Sequence, residues 1–205
     1  MFLRLMKAPA MRLRHVSEGG SNNVIDDHLR GECVRLSALA EGDVPEIARW
    51  FQDGAFMRLL DAVPARPKTE PELREWLERS RNNDSGYLFA VRPLDGEQLL
   101  GYIELDGILW NMAVAWFSIA LAPEQRNQGY GYDALRVALR FAFGELNLHR
   151  VQLTVFDYNK PAIAVYEKLG FRREGTFREF LQRDGRRYDM LLYGLLRAEW
   201  EAGQG

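Results

Sequence analysis

Pro123-Glu124-Gln125-Arg126-Asn127-Gln128-Gly129-Tyr130-Gly131 is the stretch on which the fold turns. Before it, Val114–Leu121 reads as a strand. After it, Tyr130–Phe143 carries Leu135, Ala138, Leu139, Ala142 and Phe143 on one helical face. Val151–Phe156 then runs almost continuously apolar, as a strand does at the buried centre of a sheet. Strand, helix and strand in this order make a parallel crossover. The loop between them also has the makings of an anion site. Gly129 and Gly131 allow positive φ and close backbone approach, and several N–H groups then point outward together at the head of a helix. Arg126 adds a fixed positive charge. A solvated strand-to-helix turn with two convenient glycines would carry the same residues.

The other elements do not repeat that crossover. Glu32–Leu39 alternates as a first strand. A helix opens at Gly42-Asp43, with Asp43 as N-cap, Pro45 in the first turn and Ile47, Trp50 and Phe51 on the apolar side. Thr69–Arg79 is a second helix: Thr69 and Glu72 have capping-box spacing, and Leu73, Trp76 and Leu77 form its stripe. Strands at Tyr87–Val91 and Leu99–Leu105 flank an Asp95-Gly96 turn. Pro161–Lys168 is a helix closed by Gly170, and Phe177–Gln182 and Tyr188–Leu195 form a hairpin across Asp184-Gly185. The expected class is α+β: a mixed, mostly antiparallel sheet flanked by helices, with one parallel βαβ crossover. Residues 1–30 read as an N-terminal extension, 31–200 as one domain and 201–205 as a tail.

Composition narrows the function classes. The chain has 205 residues, 47% hydrophobic, enough for a sizeable core. A single cysteine, Cys33, makes no internal disulfide, and it reads as a small buried residue. Three scattered histidines, His15, His28 and His149, give no metal site. Charged residues interrupt the first fourteen positions, and no apolar run reaches membrane-span length, so a soluble cytoplasmic protein without a membrane partner is expected. A net charge of −2 argues against nucleic acid. Its distribution is uneven: residues 122–187 hold twelve Lys and Arg against eight Asp and Glu, and the remainder fifteen against twenty-one. An anionic ligand on one half and a cationic one on the other would fit this.

Gly129-x-Gly131-x-x-Ala134 also matches a dinucleotide fingerprint, with Asp157 ending the next strand. Against that reading, seven residues separate Leu121 from Gly129, and the chain closes with an antiparallel hairpin. No Gly-Lys-Ser/Thr follows, which excludes a P-loop. A second block decides between them. Asn159-Lys160-Pro161-Ala162-Ile163-Ala164-Val165-Tyr166-Glu167-Lys168-Leu169-Gly170-Phe171, placed after Arg126–Gly131, resembles the paired signatures of the GNAT superfamily of acetyl-CoA-dependent N-acetyltransferases. Gly31–Leu36 and Gly170–Gly175 are most similar to its ribosomal-protein N-terminal and spermidine acetyltransferase branch.

The resemblance implies acetyl-CoA as co-substrate, no metal, and direct attack of a bound amine on the thioester. It implies that Arg126, Asn127, Gln128, Gly129, Tyr130 and Gly131 hold the pyrophosphate. The strand ending at Leu121 would pair with the pantetheine arm, Asn159 would touch CoA, and Lys168 would reach its 3′-phosphate. Tyr166 would serve the departing thiolate as general acid. The branch often has a Glu early in the strand before the loop, where this chain has Trp116. Glu104, in the otherwise apolar strand Gly101–Leu105, is then the best general base, with Asp106 behind it. Acidic residues outside the CoA half (Glu41, Asp53, Asp61, Glu70, Glu72, Asp106) favour a cationic acceptor: a protein N-terminus, a polyamine or an amino-sugar. Branch resemblance tilts this toward a peptide or protein N-terminus. The exposed terminal hairpin could support a homodimer. A CoA-sensing module without catalysis and a nucleotide-dependent oxidoreductase are the alternatives.

Overall fold

The computed structural model describes residues 27–203. Most of the anticipated N-terminal extension, residues 1–26, lies outside them. In chain order the elements are β1 (Val34–Ala38), α1 (Val44–Trp50), α2 (Gly54–Leu60), α3 (Glu70–Arg81), β2 (Tyr87–Pro93), β3 (Gly101–Leu109) and β4 (Val114–Leu121). They continue with α4 (Tyr130–Arg140), β5 (Arg150–Phe156), α5 (Lys160–Lys168), β6 (Arg172–Arg183), β7 (Arg186–Leu196) and α6 (Arg197–Ala202).

Among the described residues seven strands form one sheet in the order β1-β2-β3-β4-β5-β7-β6. Every neighbouring pair is antiparallel except β4–β5. The expected α+β class and its single crossover through α4 both hold. That order leaves no run of parallel βα units for a dinucleotide fold, so the Gly129–Ala134 fingerprint does not mark one.

Strand alternation gives each sheet face its own core. One face packs Ile103, Phe117, Val151 and Leu195 against Leu135, Ala138 and Leu139 of α4 and Tyr166 of α5. The opposite face packs Ala90, Tyr102 and Ala120 against Ile47 and Trp50 of α1, Phe56 of α2, and Leu73 and Leu77 of α3. The aromatic stripes read from helical spacing are therefore core.

Several local readings change. Asp43 does not cap α1. Its carboxylate instead accepts the Ala40 N–H (2.8 Å) and a bidentate pair from buried Arg92 (2.9 and 2.7 Å), because a buried guanidinium demands a charged partner. Helix α2 was not anticipated; Asp53 caps it by accepting the Ala55 N–H at 2.8 Å. Helix α4 ends at Arg140, and Phe141–Glu145 widens into a π-turn that sets Phe141 edge-on to Tyr87 and Phe89. Strand β6 begins at Arg172 rather than Phe177, and the last helix runs on to Ala202.

The head of α4 is tied to β1. Asp133, buried in the helix, accepts the Cys33 and Val34 N–H groups at 2.8 and 3.0 Å. A side chain at Gly31 would overlap this carboxylate. Burial acts to raise the Asp133 pKa, but N–H donors from Cys33, Glu32 and Val34 outweigh it and hold the carboxyl below its ordinary value.

Candidate active site

The parallel pair is short. Only Val114–Trp116 lie beside Arg150–Gln152; beyond them β4 and β5 diverge. Phe117–Leu121 still pair with β3 on one side, and Leu153–Phe156 with β7. Each strand thus presents one unpaired edge to the gap. Unpaired backbone must meet solvent or a ligand, and this gap opens into a cleft of about 760 Å³.

Residues from both sheet faces line it. Phe117, Leu121, Val165 and Tyr166 come from the α4–α5 side, and Phe56, Asp61 and Ala120 from the other. The cleft therefore passes through the sheet where the strands part.

At one end lies the loop before α4. Asn127 and Gly129 both have positive φ, 61° and 86°. The N–H groups of Asn127, Gln128 and Gly129 have no acceptor among the described residues. Such alternation turns successive N–H groups inward as an anion-binding nest, and the dipole of the eleven-residue α4 adds to it. Arg126, Asn127, Gly129 and Gly131 line the cleft. The Arg126 guanidinium lies over the Phe56 ring, 5.7 Å from its centroid, so it also touches the opposite wall.

Tyr166 is buried beside Phe171, with ring centroids 5.8 Å apart. It lines the cleft, and its hydroxyl has no hydrogen-bond partner among the described residues. Burial pushes its pKa up to about 12. Asn159 also lines the cleft while its side chain caps α5, accepting the Ala162 N–H at 3.4 Å.

Glu104 stands opposite Ser118, a cleft residue, on the face that carries Tyr102 and Ala120. It makes no hydrogen bond or ion pair among the described residues. Burial, helped by the charge of Asp106, raises its pKa to about 7. Trp116 stands opposite Asp106 with its side chain 41% exposed.

Glu104 and three of the anticipated cofactor contacts do not themselves line the cleft. Gln128 donates to the Glu124 carbonyl (2.9 Å), Tyr130 packs against the core, and Lys168 sits with Nζ 4.4 Å from the centroid of the Tyr132 ring, which does line it. Cys33 is half-buried, and burial, with Asp133 beside it, raises its thiol to about 11, as an unreactive cysteine requires. Among the described residues no group of His, Cys, Asp and Glu could hold a metal, and no helix is long and apolar enough to cross a membrane.

Sequence reasoning missed the wall built by Phe56, Leu59, Leu60, Asp61 and Ala62 of α2 and its exit. Asp53 followed by Gly-Ala-Phe-Met-Arg-Leu-Leu was the available signal, an N-cap ahead of good helix formers. It also missed Phe180. Strand β6 loses register between Phe177 and Leu181, with Glu179 at φ 52°, and this irregularity delivers Phe180 to the cleft.

A parted sheet that offers a phosphate nest and a free strand edge to one extended ligand defines a class, the acyltransferases that draw on a coenzyme A thioester. The acetyltransferase (GNAT) domain model matches residues 34–172. The chain belongs to that family, and it is an N-acetyltransferase. It is 30% identical over 167 residues to a spermidine N(1)-acetyltransferase of Vibrio cholerae, covering 82% of this chain and 95% of the relative. An SPbeta prophage-derived uncharacterized N-acetyltransferase of Bacillus subtilis is 29% identical over 175 residues, 85% of this chain and 96% of the relative. The crystal structure of the Vibrio cholerae spermidine N-acetyltransferase in complex with CoA and spermine superposes with a TM-score of 0.75 at 27% identity, covering 82% of this chain and 98% of that one.

Proposed function

We propose that this protein transfers the acetyl group of acetyl-CoA to a primary amine of a small polycation. The observation that carries the reading is the perforated sheet. A nest for the pyrophosphate lies at one end of the cleft, and carboxylates stand near its far wall with no cation paired to them. Relatives named for spermidine point the same way, and this sets a small polyamine ahead of the peptide N-terminus.

The residues present suit coenzyme A. The N–H groups of Asn127, Gln128 and Gly129 receive the pyrophosphate with Arg126 beside them, and Tyr130 and Gly131 carry the nest into α4. The free edge around Phe117–Leu121 pairs with the amide groups of the pantetheine arm. Asn159 borders the arm, and Lys168 stands by for the 3′-phosphate.

An alkylammonium near pKa 10.4 must first lose a proton, at a cost of roughly 4–5 kcal/mol at pH 7. Glu104 takes that proton, directly or through one water, and a pKa of about 7 suits the task. The neutral nitrogen then bonds to the carbonyl carbon. An N–H of the β4 edge holds the oxyanion; the nitrogen, cationic after attack, gives its second proton to water, and the C–S bond breaks.

Tyr166 donates a hydrogen bond to the departing sulfur. A phenol at about 12 is a weaker acid than a thiol near 8.5, so full transfer to the thiolate is uphill by roughly 5 kcal/mol. The tyrosine therefore stabilises the thiolate, which takes its proton from water. The products are the N-acetylamine and CoA. No acyl-enzyme forms.

The test is thiol release by the purified full chain with acetyl-CoA and four acceptors: spermidine, a diamine, a monoamine and a short peptide with a free N-terminus. Turnover led by the polyamine is expected. Turnover with the peptide alone, or with none of the four, overturns the reading.

A further inference from the structure

Six acidic residues outside the CoA half stood out in the sequence, and the fold treats them unequally. Glu41 faces Arg81 at 3.8 Å, Glu70 pairs with Arg74 at 2.8 Å, and Glu72 takes Arg66 and the Thr69 N–H at 2.7 and 2.8 Å. Asp53 caps α2, and Asp106 accepts the Asn83 amide at 2.9 Å. Asp61 is the one of the six that lines the cleft. Its carboxylate has no ion-pair partner among the described residues, and its hydrogen bond there is a long one from the Val63 N–H, 3.3 Å.

The backbone at Asp61 is gripped from across the cleft. Arg183, at the end of β6, donates Nη2 to the Asp61 carbonyl at 2.7 Å and to the Val63 carbonyl at 3.4 Å. Tyr158 donates its hydroxyl to the Arg58 carbonyl at 2.6 Å, and Arg58 pairs with Asp184. These ties join residues 100 to 126 positions apart, and they bridge the two halves of the sheet beyond the point where β4 and β5 part. The guanidinium of Arg183 binds carbonyl oxygens and leaves the carboxylate of Asp61, a residue of the cleft wall, without an ion-pair partner among the described residues. Burial raises the pKa of the Tyr102 phenol, and the charges of Glu104 and Asp61 add to that shift.

We infer that Asp61 is the specificity-determining residue for the acceptor: it receives a second cationic centre while Glu104 serves the reacting nitrogen, and Arg183 positions it through its own backbone carbonyl. This rests on the reading above as an amine acetyltransferase. The ligand class is an alkyl diamine or longer polyamine, in which one ammonium stays charged while the other is deprotonated and acetylated. A monoamine of the same length leaves Asp61 without a partner.

The experiment compares 1,4-diaminobutane with n-butylamine, by kcat/KM for thiol release. The full chain and its Asp61→Asn, Arg183→Met and Arg183→Lys variants are assayed with acetyl-CoA saturating. The unaltered protein is expected to favour the diamine at least 10-fold. Asp61→Asn lowers that diamine-to-monoamine ratio about 10-fold, through KM for the diamine rather than kcat. Arg183→Met lowers the ratio in the same sense. Arg183→Lys, which keeps a donor for the carbonyls, restores most of it, a rescue that loss of packing alone would not give. An unaltered protein with no preference, or an Asp61→Asn variant that keeps it, overturns the inference and leaves the acetyltransferase reading standing. Failure to acetylate any amine overturns both.

Discussion

Glu104, half-buried, and Tyr166, buried, are two titratable groups that the fold shifts in the same direction and the proposed reaction uses differently. Burial raises both, to about 7 and about 12. A base must be deprotonated to work, so the rate should climb as pH rises through about 7 and level off above it. Glu104→Gln should flatten that limb and lower kcat about 100-fold, read as a pH–rate profile of thiol release. Tyr166 stays protonated across this range and adds no limb. Tyr166→Phe keeps the ring against Phe171 and loses only the hydroxyl. It should lower kcat about 100-fold with acetyl-CoA affinity by calorimetry within 2-fold. Equal losses of affinity and rate would make Tyr166 a packing residue. Trp116 shows why a base could not be read from position alone: its place in the strand carries an exposed indole, and the carboxylate that burial tunes is in the neighbouring strand.

The elements differ in how far each announces itself. The loop Arg126–Gly131 was legible because its chemistry is local: glycines at the head of an amphipathic helix turn donors outward whatever lies around them. Gly129 is held at φ 86° with open space where a Cβ would go. Gly129→Ala should therefore cost only backbone strain, about 1–2 kcal/mol, and weaken acetyl-CoA binding at least 10-fold by calorimetry. Helix α2 and the irregular β6 were not legible. The first is a seven-residue helix that opens on a glycine and lacks the first-turn proline that marks the equally short α1, and Phe180 reaches the cleft only because register fails on a strand whose partner comes later in the chain. Asp133 was missed for a similar reason, since its donors lie about one hundred residues away. Asp133→Asn should destabilise the protein by about 1–3 kcal/mol at pH 7. Its folded pKa is depressed, so its stabilisation is complete above the unfolded value near 3.9 and is lost as pH falls through the folded one. Denaturant midpoints of the two proteins should begin to draw together as pH falls below about 4.

At the scale of the whole molecule, the sheet is two half-sheets joined along three residue pairs, Val114–Trp116 with Arg150–Gln152. One half bears α1, α2 and α3; the other bears β6, β7 and α5. On the α4–α5 face one core runs across both halves, from Ile103 and Phe117 to Val151 and Leu195; on the opposite face the Arg183, Arg58 and Tyr158 ties cross between them. A ligand lying along both free strand edges adds a bridge that exists only in the folded state, so it must raise the unfolding midpoint by mass action. At one hundred times its dissociation constant, acetyl-CoA should stabilise the protein by about 2.7 kcal/mol. For a domain of this length each kcal/mol is worth about 2–4 °C, so the expected rise in Tm is about 5–10 °C, saturable, and absent with NADH. If the Asn127–Gly129 nest holds the pyrophosphate as proposed, Gly129→Ala should shrink the rise at fixed ligand concentration. Asp61→Asn, on the far wall, should leave the acetyl-CoA rise intact and diminish only the further rise that a diamine adds to the CoA complex. A rise lost in both variants would mean that the two ends of the cleft form one site, and the division of donor and acceptor across the sheet would fail.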